Sequence, residues 1–574
     1  MKKSSIYVKN YYLCLIKQIV LLSIFIIITG ISLAQDKVLD ICTTELKKQM
    51  EDLGKQELPP YYISYRIDDI TETNISSSFG NIKISKETKE RLLTVSVRVG
   101  SHQLDNWHEL RDDYSGWLNY NLPVTMVLDT NEKALSQVLW KETDKRYKTA
   151  VERFGKVNAN IAVKVEEEDK SADFSKESAV IYFEPSLPDK DIQLNIKLWE
   201  NIMKEISKEF LNEPDIYDCT ANISYKAERK YFIASDGTKI AQNLRYARIY
   251  LNAKVKAKDG MVLPLTEVYF AFSPEDLPDI EQLKDDTKAL VSKLTELKNA
   301  PVADSYSGPA IMSGSAAGVF FHEIFGHRVE GQRLRSETDA QTFKKKVGKK
   351  VVSENLSVVF SPTIKEYKGK ALNGYFLYDD QGVKGSKVTI VKNGILKGFL
   401  MSRVPIENFS NSNGHGRAQP GLQPVTRQSN MFIETNKAYS MEKLRKMLIS
   451  EIKKQGTEYG YFFKRVSGGF TSTGRYRPNA FNVTPTEVYR VYADGRPDEL
   501  IRGVNMIGTP LAMFSEIEAA GGEYEIFIGI CGAESGSVPV SCVCPVVYVK
   551  KIETQKKRKS QERPLILSRP DSNK

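Results

Sequence analysis

Gly318-Val319-Phe320-Phe321-His322-Glu323-Ile324-Phe325-Gly326-His327-Arg328-Val329-Glu330-Gly331 is the stretch on which the reading of this chain turns. Its first half is apolar, as the end of a buried helix would be, yet it carries two of the chain's five histidines with a glutamate beside the first. A charged carboxylate buried between two imidazoles needs a partner. Zinc would supply one, since neutral imidazole nitrogens are good zinc ligands and an adjacent glutamate can take a proton from water at the metal. The spacing differs from the helical H-E-x-x-H motif, whose histidines at i and i+4 lie about 40° apart. Here they stand at i and i+5, about 140° apart on a continuous helix, so the helix must end or kink between them. Gly326 can adopt the left-handed conformation that closes a helix, which places His322 and Glu323 on the last turn and His327 just beyond it. A catalytic zinc usually has three protein ligands and an open position, so a third ligand must come from elsewhere. The other reading is two hydrogen-bonded histidines at a helix end, with Glu323 as a cap partner.

Outward from this stretch the chain resembles a known family. Tyr306-Ser307-Gly308-Pro309, followed by His322-Glu323-Ile324-Phe325-Gly326-His327-Arg328-Val329-Glu330-Gly331, is similar to the H-E-x-x-x-H region of the TldD/PmbA metallopeptidases. The likeness continues in order through Tyr378-Asp379-Asp380-Gln381-Gly382, Asn393-Gly394-Ile395-Leu396-Lys397-Gly398, Asn413-Gly414-His415-Gly416-Arg417, and Gly529-Ile530-Cys531-Gly532 with Ser537-Val538-Pro539-Val540. It spans about residues 305–549.

The resemblance implies a zinc site completed by Cys531, with Glu323 as general base. It also implies short or unfolded peptides as substrates, held in an enclosed cleft by strand addition. It implies a homodimer, or a heterodimer with a related subunit. The family's non-catalytic subunits lack the histidine motif, so this chain resembles the active kind. Arg417 matches a family position and is a candidate substrate contact. Its neighbour His415 would either steady a tetrahedral intermediate or lie at the surface of the cleft. Glu330 matches a position whose role the sequence does not give, and it is the first alternative to Cys531 as third ligand. Ser467-Gly468-Gly469-Phe470 departs from the family's glycine-rich segment. The alternatives are a non-enzymatic peptide-binding protein or partner subunit with a structural metal and, from the family's association with DNA gyrase, a cytoplasmic regulator.

Residues 1–34 read as an export signal. Lys2, Lys3, Lys9 and Lys17 precede or border an apolar stretch over residues 19–28, and Ser32-Leu33-Ala34 offers small residues for cleavage before Gln35. An uncleaved transmembrane anchor is the alternative. The expectation is therefore an exported protein, periplasmic or secreted, with no stable membrane insertion after cleavage. That expectation also counts against the regulator. Losing four lysines and no acids takes the formal charge from +10 to +6. Much of the remainder lies in Lys550, Lys551, Lys556, Lys557, Arg558 and Lys559, so residues 551–574 are expected to be a basic disordered tail rather than a nucleic-acid contact. Five cysteines would remain, an odd number that suits either a thiolate ligand at Cys531 or buried free thiols.

The expected fold class is α+β, with an α/β-rich N-terminal region over 35–300, divisible into two subdomains, and a β-rich metallopeptidase domain over 301–550 carrying the metal site. A chain of 574 residues is too long for one core. Helical periodicity predicts helices over 39–53, over 192–211 with Leu198, Ile202, Ile206 and Phe210 on one face, over 280–297 and over 441–454. Strands are predicted at 61–65, 92–99 and 179–183, then through 221–272 with turns at Asp236-Gly237 and Asp259-Gly260. Hairpins are predicted around Asn393-Gly394 and Asp494-Gly495. The stretch 525–549 reads as a strand, a tight loop carrying Cys531 and a return strand. Cys542 and Cys544 would share one strand face. His102 and His108 are read as surface residues.

Overall fold

A computed structural model describes residues 36–110, 123–163, 169–335, 339, 341–474 and 480–557, with 566, 567 and 570. The expected export signal and most of the tail beyond 557 lie outside the described residues. Among the described residues no helix is long and apolar enough to cross a membrane.

The N-terminal region is one twisted sheet with helices against it. Strands β1 (Pro60–Ser78) and β2 (Asn81–Val99) form a long hairpin, and β3 (Ile216–Ala234), β4 (Lys239–Lys256) and β5 (Val262–Ala271) continue the sheet antiparallel from β1. The short strand Ile181–Phe183 joins β4 in parallel. Asp236-Gly237 and Asp259-Gly260 make the expected turns, with both glycines at positive φ. Helix α1 (Lys37–Leu53) is capped by Asp36 and buries Leu39, Cys42 and Leu46, as its periodicity predicted.

Two helices depart from the sequence reading. Helix α2 (Glu132–Val163) was not predicted, because its buried face mixes Leu135 and Leu139 with Glu142, Thr143 and Arg146, the last held by Glu142 at 2.6 Å. Helix α3 (Ile196–Lys208) starts at an Asn195 cap and turns Trp199, Met203 and Ile206 inward, leaving Leu198 exposed. The larger apolar surface of Trp199 wins the core position. Helix α4 (Ile280–Asn299) buries Leu283, Leu290, Leu294 and Leu297.

The C-terminal region is built around a closed ring of strands. Strand β6 (Tyr306–Met312) pairs in parallel with β10 (Tyr459–Thr471) and antiparallel with β14 (Gly536–Lys556). The ring closes through β11 (Phe481–Tyr492) and β12 (Val504–Gly508), each antiparallel to its neighbours, because β12 pairs back onto β14. Outside the ring, β7 (Leu356–Phe360), β8 (Val388–Lys392) and β9 (Asn430–Thr435) extend the sheet from β14, and β13 (Ile517–Ala533) pairs along it. Asn393-Gly394 and Asp494-Gly495 turn hairpins as expected, with Asn393 and Gly394 both at positive φ. Helix α6 (Met441–Gln455) matches its prediction closely. The basic run does not start a tail at 551, because β14 continues to Lys556, with Thr554 buried on β6 and Lys556 opposite Val504.

Helix α5 (Gly314–Ile324) packs inside this sheet and is buried along its length except at Ser315. A helix apolar all round requires such enclosure. Ser313 caps it and is itself fixed by Phe463 O and Lys464 O of β10. Gly314 and Gly318 let it lie directly on β14, where a Cβ at 314 would overlap Cys544 O and one at 318 would come within 3.1 Å of Cys542 Cβ. Cys542 and Cys544 therefore share the helix-facing side of their strand. Gly314→Ala should cost about 1–3 kcal/mol, because the obstructing atom is backbone and cannot rotate away. Denaturant unfolding with a tryptophan signal will measure it, and an unchanged midpoint would mean that the helix does not sit this tightly.

The two regions meet through buried charge. Arg66, Asp68, Glu228 and Lys230 on the N-terminal sheet surround Asp380, and all five are buried. Arg403 lies over the rings of Tyr62 and Phe174 and donates to Ser175 O. His108, expected at the surface, is buried against Asp173 at 2.8 Å, and Asp173 also pairs with Arg335 just after the histidine turn. His102 is half-buried, with Nδ1 2.9 Å from Phe174 O.

Candidate metal centre

Helix α5 ends where the histidine spacing requires. His322 and Glu323 occupy its last turn, Phe325 leaves helical geometry at φ −125°, and residues Gly326–Val329 form a 3₁₀ turn. The break brings the His322 and His327 rings to 4.9 Å between centroids, at 82° to each other. Gly326 achieves this differently from expectation. It is not at positive φ; a Cβ there would overlap the amide of Gln428 and displace that side chain.

Cys531 arrives from β13, opposite Val538. It lies within the strand, two residues before β13 ends at Ala533, and not in the loop as the sequence suggested. Its Sγ lies 3.4 Å from His327 Nε2. The candidate ligand atoms of His322, His327 and Cys531 all fall within 4.8 Å of one another, and all three residues are buried. Among the described residues this is the one group of this kind. Burial alone would push the Cys531 thiol up, as it does for Cys42, raised to about 12, but the imidazoles of His327 and His322 outweigh it and hold the thiol well below its ordinary value. For His327 burial opposes charge, but Cys531 and Glu330 raise the imidazole well above its usual range. A thiolate facing two imidazoles is a donor set suited to zinc. All five described cysteines are unbridged.

Glu323 is buried, and desolvation raises its carboxyl above the usual range against the pull of His322 and His327. Strand β10 passes over it so closely that a Cβ on Gly469 would overlap the Glu323 side chain. Arg328 ties this region together by donating to Glu323 O at 2.6 Å and Ser472 O at 3.1 Å.

The two candidate substrate contacts stand differently. His415 is fully buried rather than at the surface of a cleft, with Nδ1 3.0 Å from Asn413 Oδ1 and Nε2 3.0 Å from Ser429 Oγ. Burial lowers its pKa to about 3, so it stays neutral and braces its loop. Arg417 is also buried and spends its guanidinium on Gln428 O and Pro539 O, over the Phe376 ring. Sequence reasoning missed Arg427, fully buried, which donates to Cys531 O at 2.5 Å and to Ser535 Oγ and Gly536 O at 2.8 Å. A lone arginine among Thr426 and Gln428 carried no spacing signal. Glu330 does not join the ligand set: its carboxylate lies 3.2 Å from His327 Nδ1 and 2.7 Å from Arg333 Nε. His327 and Arg333 outweigh burial and hold it at about 2.

Residues 305–556 match the model of the PmbA/TldA metallopeptidase C-terminal domain, a span that contains α5, Cys531 and every strand of the ring. Over these residues the chain is similar to the TldD/PmbA metallopeptidases. The chain is 29% identical over 314 residues to a metalloprotease of Methanocaldococcus jannaschii, covering 54% of this chain and 64% of that one. It is 32% identical over 263 residues to a metalloprotease of Archaeoglobus fulgidus, covering 46% and 56%. A Saccharolobus solfataricus protein named a zinc metalloprotease TldD homolog is 26% identical, over 48% of this chain and 57% of its own. The chain thus spans less than two thirds of the length of these relatives. In fold it is similar to TldE from Thermococcus kodakarensis, at a TM-score of 0.59 and 14% identity, covering 89% of this chain and 100% of that one. The likeness of fold therefore includes the N-terminal sheet as well as the C-terminal domain.

Cys531→Ser tests the ligand set. The parent should carry about one zinc per chain and the variant well under half of that, since two imidazoles hold zinc weakly. Full zinc content in the folded variant would place the third ligand elsewhere.

Proposed function

We propose that this chain is a zinc-dependent metallopeptidase that hydrolyses peptide bonds in short or unfolded peptides. The observation that carries this reading is the convergence of His322, His327 and Cys531 beside Glu323, a carboxylate that is not one of the three. The donor set fits zinc, which when bound there supplies a Lewis acid that polarises a carbonyl and lowers the pKa of water. A purely structural zinc would need a fourth protein ligand, whereas three residues converge among those described.

Glu323 takes the proton of the attacking water on its carboxylate and passes it to the leaving amine. Desolvation prepares it for this exchange, because a carboxyl raised above its usual range gives a proton up less readily in water but holds it well between two steps. Buried surroundings also exclude bulk water from the proton's path.

The substrate reading rests on β10. Beyond Phe463, where β6 stops, β10 runs on to Thr471 paired with β11 on one edge and with no strand on the other among the described residues. Gly469 on this stretch lies against Glu323, so an extended peptide added to that edge would pass the general base. Such binding reads backbone more than side chains and requires an unfolded substrate.

Glu323→Gln keeps the size of the side chain but cannot accept the proton, so peptide hydrolysis should fall about 10²- to 10⁴-fold with zinc content unchanged. Assay with quenched-fluorescent peptides decides: an undiminished rate in the zinc-loaded variant would remove Glu323 from the chemistry and favour a binding protein. Gly469→Ala should lower the rate as well, by displacing Glu323 while leaving the three ligand residues in place. A rate and zinc content equal to the parent's would separate β10 from the reaction.

A further inference from the structure

We propose that Glu330 is the positioning residue that assembles the metal site, orienting His327 directly and the Cys531 strand through Arg427; the inference rests on the zinc reading above. Glu330 is fully buried, one residue past the 3₁₀ turn. A carboxylate in that position is unfavourable unless it is compensated. Its two oxygens face opposite parts of the site.

Oε2 lies 3.2 Å from His327 Nδ1 and accepts from Arg333 Nε at 2.7 Å. A neutral imidazole carries one proton, and a carboxylate accepting it at Nδ1 leaves the lone pair on Nε2. Nε2 is the nitrogen that lies 3.4 Å from Cys531 Sγ. Glu330 thus selects the tautomer that turns a donor atom into the site. Arg333 holds the carboxylate in place and is anchored in turn by Glu534 at 2.8 Å, on the turn after β13.

Oε1 has no hydrogen-bond partner, and Arg427 Nε, also unpartnered, lies 3.9 Å from it. The remaining nitrogens of Arg427 clamp the end of β13 and the start of β14 through Cys531 O, Ser535 Oγ and Gly536 O. One carboxylate therefore stands between two segments 204 residues apart in sequence, one carrying His327 and the other Cys531. Carboxylates hydrogen-bonded to a ligand histidine typically contribute about 10- to 100-fold to metal affinity.

The test uses the full chain, stripped of metal and reloaded. Zinc affinity is measured by competition with a chromophoric chelator, and cobalt(II) replaces zinc to report the thiolate through its near-ultraviolet sulfur-to-cobalt band. Glu330→Gln should bind zinc about 10- to 100-fold more weakly and show an altered cobalt spectrum, with circular dichroism like the parent's. A folded variant with parental zinc affinity and an unchanged cobalt spectrum would overturn the proposal. A measurement on the parent decides independently of how any variant folds. With ¹⁵N-labelled histidine, zinc-loaded His327 should be protonated at Nδ1 and metal-bound at Nε2, and the opposite tautomer would overturn the proposal. A parent that binds neither zinc nor cobalt would overturn the metal reading itself, a result distinguishable from failure of the Glu330 proposal alone.

Discussion

The contact between Cys531 Sγ and His327 Nε2, 3.4 Å apart and buried, is the interaction on which the arrangement of the C-terminal domain depends. A thiol and an imidazole taken out of water lose hydration, part of which Cys531 Sγ and His327 Nε2 recover from each other or would recover from a metal. For the two to meet, a helix must end inside a closed ring of strands and a β-hairpin must reach over it. The glycines at 314, 318 and 326 are the cost of that closeness, each placed where a side chain would strike β14 or Gln428. Charge follows geometry: the paired groups shift in opposite directions, the thiol down and the imidazole up.

Much of this was legible in the sequence, and for physical reasons. Two histidines at i and i+5 cannot share an ion on an unbroken helix, so a break between them, seen after Ile324, could be inferred without coordinates. Asn393-Gly394 specified its hairpin because both positions need positive φ. Cys531 was a different matter. Nothing local distinguishes it from Cys542 or Cys544, and only the resemblance to a family singled it out. The ring itself was hidden, since its closure depends on the pairing of β6 with β10 in parallel, between segments about 150 residues apart. Helix α2 escaped because part of its buried face is an ion pair, and the role of Glu330 escaped because one of the groups facing it, Arg427, comes from a distant segment.

The N-terminal sheet bears on the site through buried charge as well as apolar packing, with Tyr378 packed against Tyr62, Phe232 and Ile240. Asp380 is held by Arg66 and Lys230, and the segment following the histidine turn is tied back through Arg335 and Asp173. Buried pairs of this kind contribute little net stability, yet removing one partner leaves an uncompensated charge. They tie the two regions together, Arg335 doing so from the segment that also carries Glu330 and Arg333. His108 belongs to the same system, which explains why a residue in a polar stretch is buried.

X-ray absorption at the zinc edge of the metal-loaded protein tests the central claim most directly, because it counts the atoms around the ion without reference to activity. A site formed by Cys531, His322 and His327 should give one sulfur at about 2.3 Å, with imidazole nitrogens and a further light atom at about 2.0–2.1 Å. A first shell of nitrogen and oxygen with no sulfur would contradict it.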